Sequence, residues 1–175
     1  MKKNVLFSFI FLLMFPIFSE PLVGFYGIKF GTNRKTVKEE LKKQGWMSFY
    51  SNSDDIDSYY IGLASKSLTL EGVSVMKVDT IFDYNDNFFN IRFYLDSSLS
   101  EDEFSKLISK LKQKYEMEYL DIFDGGIFYK TNNGNMIMIT QGTQRNLLTN
   151  SIERIYVVEM FDTNLQINNF NYNHK

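Results

Sequence analysis

Over residues 73–95 (VSVMKVDTIFDYNDNFFNIRFYL) apolar and polar positions alternate, as in strands whose successive side chains point to opposite faces. Met76, Val78, Thr80, Phe82 and Tyr84 share one side of the first arm, and Lys77, Asp79, Ile81 and Asp83 share the other. On the second arm Phe89, Ile91, Phe93 and Leu95 alternate with Asn90 and Arg92. A two-residue turn at Asp86-Asn87 sets Tyr84 against Phe89, Phe82 against Ile91, Thr80 against Phe93 and Val78 against Leu95. Both apolar rows then lie on one side, which predicts an antiparallel hairpin covered on one face only.

The flanking segments supply the cover. In TNRKTVKEELKKQGW, Thr32 or Asn33 caps a helix, Val37 and Leu41 form its apolar stripe, and Gly45 ends it. Trp46 follows as a packing residue folded back on the last turn. A second helix opens with Ser100 and Glu103 as a capping box, with Leu99 and Phe104 as a hydrophobic staple. Phe104, Leu107, Ile108, Leu111 and Tyr115 continue it as one stripe, acids gather at its start, and lysines gather toward its end.

Residues 22–30, punctuated by Gly24 and Gly27, read as a short strand or extended lead-in. Residues 49–58 (FYSNSDDIDS) read as a polar turn, with short strands over 59–64 and 68–70 around a Ser-Lys-Ser turn. Residues 119–123, 127–131 and 135–141 read as strands, the last two joined by the Asn133-Gly134 hairpin signal. After a polar loop over 142–151, residues 152–161 read as a strand apolar on both faces and therefore central. The Asn-rich stretch 164–175 reads as a flexible tail.

The first residues stand apart. Lys2 and Lys3 precede an apolar run over 5–18 broken only by Ser8 and Pro16, and Ser19-Glu20 offers a small residue before polar sequence. This is the layout of a secretory signal peptide over 1–19, too short for the roughly 20 residues of a membrane span. Ile17 is larger than the residue usual at its position, and the rival reading is an anchor that stays uncut. Loss of residues 1–19 removes two lysines and no acid, taking the net charge from −2 to −4. No later segment is apolar for long enough to span a membrane. The chain has no cysteine, which excludes disulfides, thiolate metal sites and the acylated cysteine of a lipoprotein. Its lysines cluster on one helix beside Glu39 and Glu40, so nucleic-acid binding has no support.

Candidate chemistry is sparse. The only histidine, His174, lies in the expected tail, which leaves no positioned imidazole for a Ser-His-Asp or Cys-His site or for a zinc site. Asp83, Asn85 and Asn87 have the opening spacing of a calcium loop, but Phe88 stands where glycine is needed and Tyr94 where the bidentate glutamate belongs. Asp54, Asp55 and Asp57 read as a solvated acidic loop, with a weak calcium site as the rival. Gly24, Gly27 and Gly31 lack the Gly-Lys-Ser/Thr of a phosphate loop. Tyr59 and Tyr60, near Phe49 and Tyr50, suggest an aromatic surface, although adjacent strand residues split between core and solvent.

Gly27-Ile-Lys-Phe-Gly31, then Thr32-Asn33, Val37 and Leu41, resembles the opening of small bacterial envelope domains. These are the BamE-type assembly lipoproteins and the β-lactamase-inhibitor-protein-like fold. The likeness covers about 20 residues, lacks the lipidated cysteine, and implies protein binding rather than catalysis. The expectation is therefore an exported α+β protein, periplasmic or extracellular, with two helices packed on an antiparallel sheet. Its folded part spans 20–163, with halves at 22–96 and 97–163 compatible with a tandem αβββ duplication. The leading function is a non-enzymatic module binding another envelope protein through a sheet face or edge, with Tyr59, Tyr60, Asp79 and Arg92 as the candidate surface. No cofactor, catalytic residue or metal ligand is assigned. The alternatives are a carboxylate-based hydrolase acting on glycans and a binder of a small apolar ligand.

Overall fold

Strand-forming alternation becomes one large antiparallel sheet in the computed structural model, which describes residues 19–53, 55–61, 69–145 and 150–167. Side chains at 49–53, 61, 144 and 145 lie outside that description. The described residues begin with β1 (Gly24–Phe25) and β2 (Ile28–Lys29), a small hairpin, and continue into α1 (Arg34–Lys43). Next come β3 (Trp46–Ser53), β4 (Ile56–Ile61), β5 (Thr69–Leu70), β6 (Val73–Phe82) and β7 (Phe88–Leu95). After α2 (Glu101–Tyr115) follow β8 (Glu118–Phe123), β9 (Gly126–Lys130), β10 (Met136–Arg145) and β11 (Ile152–Phe161). A helical turn at 163–167 ends the described chain.

Across the main sheet the order is β3-β4-β6-β7-β11-β10-β9-β8, and β5 pairs only with β6. Each half thus contributes a helix and then a four-strand meander, and the meanders meet where β7 pairs with β11. The strand expected to be central is central: β11 lies between β7 and β10.

The apolar alternation sets which face is buried. Val78, Ile91, Phe93, Val158, Met160, Ile137 and Ile139 share the core with Val37 and Leu41 of α1 and with Leu107, Leu111 and Tyr115 of α2. The helix termini are as the sequence implies. Asn33 caps α1 by accepting from the Lys35 N–H, and Ser100 and Glu103 form the reciprocal capping box of α2. Phe104 stacks on Tyr156 of β11 with ring centroids 3.9 Å apart.

The middle of the central hairpin keeps its predicted faces, but its pairing and both ends change, with Phe88 rather than Phe89 in the core opposite Phe82. Val78 lies opposite Phe93 rather than Leu95, and Thr80 opposite Ile91 rather than Phe93. The turn is a three-residue loop, not Asp86-Asn87: the Asp83 carbonyl accepts from the Asp86 N–H, and the Asp83 N–H donates to the Asn87 carbonyl. Asp86 takes the left-handed conformation (φ 61°), and the Asp83 carboxylate accepts from the backbone of Asn85 and Asn87. Tyr84, expected in the apolar row against Phe89, is instead exposed in this loop. A bulge between Val75 and Lys77 turns Val75 rather than Met76 into the core. Thr131–Asn135 repeats the turn, with Gly134 left-handed (φ 86°) as its sequence signal requires.

Other boundaries move. The stretch expected to be a polar turn over 49–58 is mostly the β3–β4 pair, because hydrogen bonding to a neighbour decides a strand that composition leaves open. β10 extends to Arg145 where a loop was expected, since β11 pairs with it along that length. The tail expected from Asn164 begins as helix, with the Asp162 carboxylate accepting from the N–H groups of Asn164 and Leu165. The leader at 1–18, Asp54, the turn within 62–68 and His174 lie outside the described residues.

Candidate functional site

The face of the sheet opposite the core carries the polar half of the alternation, arranged in rows that cross the strands. One row runs Ser58, Asp79, Arg92, Glu159, Met138, Phe128 from β4 to β9. A second runs Tyr60, Lys77, Tyr94, Val157, Thr140. These positions neighbour one another because antiparallel pairing places directly opposite side chains about 5 Å apart.

Two carboxylates organise the face. Asp79, 5% exposed, accepts from Ser58 Oγ at 2.6 Å, from Tyr94 OH at 2.8 Å and from Lys77 Nζ at 2.9 Å. Lys77 Nζ also lies 4.4 Å from the centroid of the Tyr94 ring, a cation–π contact. Glu159, equally buried, accepts from Arg92 Nε at 2.8 Å and from Asn90 Nδ2. Burial pushes the Tyr94 hydroxyl well above its ordinary pKa, and the Asp79 carboxylate adds to that, so the phenol stays a donor. Burial also opposes charge on Arg92, but the hydrogen bond and charge of Glu159 outweigh it and hold the guanidinium firmly protonated.

Asp79 and Glu159 therefore each have a partner of opposite sign, which favours keeping their charges in the fold. Among the described residues the outer nitrogens of Arg92 have no partner, and its side chain is 34% exposed. It presents a planar donor fork to whatever lies on the face. Tyr60 is 39% exposed beside Lys77, and Tyr94, Val157, Met138 and Phe128 are half-buried farther along the two rows.

Of the four residues expected to form a surface, Tyr60, Asp79 and Arg92 come together here, and Asp79 stands directly opposite Arg92. Tyr59 does not. It is 1% exposed on the core side, because one strand residue of an adjacent pair must face inward. The Phe49 and Tyr50 side chains lie outside the described residues. Sequence reading missed Glu159, whose signal was a lone acid inside the apolar strand VVEMF.

The expected acidic loop is also corrected. Asp57 lies in β4, buried, and accepts from Arg34 Nε and Nη2, both at 2.9 Å, with Lys38 Nζ at 3.3 Å. Asp55 is exposed. Among the described residues no group of three or more potential ligands is placed to hold a metal ion, and no helix is long and apolar enough to cross a membrane. No protein-family model matches the chain, and no curated protein or solved structure matches it either.

Proposed function

We propose that this chain is a non-enzymatic interaction module of the bacterial envelope, docking another envelope protein on the open face of its sheet. In this reading both helices pack on the opposite face, the two helix-plus-meander halves descend from a tandem duplication, and the leader at 1–19 directs export. The observation that carries the reading is the pair of adjacent ion-pair sets, Asp79 with Ser58, Lys77 and Tyr94, and Glu159 with Arg92 and Asn90. Their charges are already compensated, so a partner covering them strands no carboxylate in a low-dielectric interface. Tyr60 and the free fork of Arg92 are the residue types that carry most binding energy at protein interfaces. The half-buried Met138, Phe128 and Val157 beside them add apolar area.

The test is cross-linking in the native host with tagged full-length protein, followed by mass spectrometry. One recurrent envelope protein should be captured, and Tyr60→Ala or Arg92→Gln should lower that capture about tenfold, as for residues worth more than 1 kcal/mol at an interface. Thermal unfolding of each purified variant separates lost binding from lost fold. Capture unchanged by both variants, each still folded, sinks the sheet face as the docking surface.

A further inference from the structure

The residues that follow the leader are built into the fold rather than draped over it. Leu22 is completely buried, and its carbonyl accepts from Asn133 Nδ2 at 2.9 Å and from Asn135 Nδ2 at 2.7 Å. The Glu20 N–H donates to the carbonyl of Lys114 in the last turn of α2 at 2.8 Å. Glu20 and Pro21 are exposed, and Ser19 is half-buried with its hydroxyl accepting from Asn132 Nδ2 at 2.7 Å.

From this geometry we infer that the chain is processed between Ser19 and Glu20, and that the α-ammonium group so created docks on the C-terminal end of α2 as a fixed cation. The inference rests on the reading of residues 1–19 as an export leader. The cut is a hydrolysis by a leader peptidase of the envelope. Water adds across the Ser19–Glu20 amide, the carbonyl carbon leaves as the Ser19 carboxylate, and Glu20 keeps the nitrogen as an amine that takes up a proton.

Three features favour this position. Ser19 is small, as the residue before a cut must be. Pro21 disfavours helical backbone at Glu20, so that residue is biased toward extended conformations. The nitrogen already sits where a cation is wanted, since the last carbonyls of a helix carry its negative partial charge.

The charged surroundings of that nitrogen are mixed. Lys114 Nζ is nearby but is engaged by Glu71 Oε1 at 2.8 Å and by Glu20 Oε2 at 3.4 Å. Tyr115 and Lys29 line the same groove. Among these groups two carboxylates stand against two ammonium groups, so the helix end decides the sign. A cation fixed on that helix end is expected to have its α-ammonium pKa raised in the folded chain above the unfolded value. Its contribution to stability is therefore full below the ordinary value of about 8 and is lost as pH rises through the folded value.

The experiment uses protein exported from the full-length gene product and purified from the envelope fraction. Its first residue is read from the N-terminal peptide by mass spectrometry. The reactivity of that peptide's α-amine toward acetic anhydride is then followed from about pH 6 to about pH 10, spanning the ordinary value. A chain starting at Glu20, with an α-amine pKa higher in the folded protein than in urea, is the expected result. A first residue other than Glu20, or an α-amine with the same pKa folded and unfolded, overturns the docking inference while leaving export intact. A chain still carrying residues 1–19 overturns both the inference and the reading of a cleaved leader.

Discussion

Asp57 is a charge on the core side of a sheet, and its surroundings decide whether that stabilises or strains the fold. It sits opposite Thr80 and is 5% exposed. Burial alone would raise the pKa of its carboxyl, but Arg34, bonded through two nitrogens, and then Lys38 more than reverse this and hold it below the usual carboxylate range. The folded pKa thus lies under the unfolded value of about 3.9, so the stability from this pair is present above that pH and disappears as pH falls through the folded value. Asp57→Asn should cost about 3 kcal/mol at neutral pH, because it leaves the Arg34 guanidinium, 20% exposed, without its main partner. The same variant should lose stability less steeply than the parent between about pH 5 and pH 2. Urea titrations of both proteins across that range check this, and equal acid limbs would remove Asp57 from the account. None of it was legible beforehand. SNSDDIDS has the composition of a turn, and the partner, Arg34, lies 23 residues away on a helix, where no local pattern links the two.

At the scale of elements, legibility followed the number of independent signals that agreed. In α2 the capping box, the staple, the 3.6-residue stripe and the charge gradient coincide, and the helix runs from Glu101 to Tyr115 as expected. In β11 both faces are apolar, so centrality could be read directly. β3 had no such agreement, since WMSFYSNS owes its strand character to pairing with β4. Among the site residues, alternation placed Asp79 and Arg92 on the polar face, but it said nothing of Glu159, whose strand reaches them only through the β7–β11 seam. β8 raises a different problem. It is an edge strand with Tyr119, Leu120, Ile122 and Phe123 all exposed, the kind of edge that recruits other chains. A bulge between Tyr119 and Asp121 interrupts the ladder, and the Asp121 carboxylate accepts the Ile122 N–H at 2.7 Å. Charge and bulge together guard the edge. Asp121→Thr removes the charge while favouring extended backbone, so it should raise self-association at fixed protein concentration. Sedimentation velocity of parent and variant tests this, and a variant with the parent's association state would show that the bulge suffices without the carboxylate.

Within the sheet, the two meanders are joined at one seam, the β7–β11 pairing. Each meander follows one helix in the chain, and the β7–β11 pairing joins an edge of one meander to an edge of the other. The same core cluster includes Trp46 and Tyr59 from the first half and Ile137, Ile139 and Val158 from the second, so burial is shared and not merely adjacent. A unit of half this chain's length is marginal on its own burial, so the core shared across the seam should stabilise both meanders. Met160 tests this most directly. It is fully buried between Ile91 of β7 and Ile137 of β10, and Met160→Ala should cost about 2–5 kcal/mol by opening a cavity at the seam. If the halves are one cooperative unit, that loss must appear equally in both. Fluorescence of Trp46, the sole tryptophan, reports the first half, and hydrogen exchange of β9 and β10 amides reports the second. Coincident midpoints in urea, shifted together by the variant, are the expected result. A variant that melts β9 and β10 while Trp46 keeps its parental midpoint would mean that the first half stands without the seam, and that each meander is a folding unit in its own right.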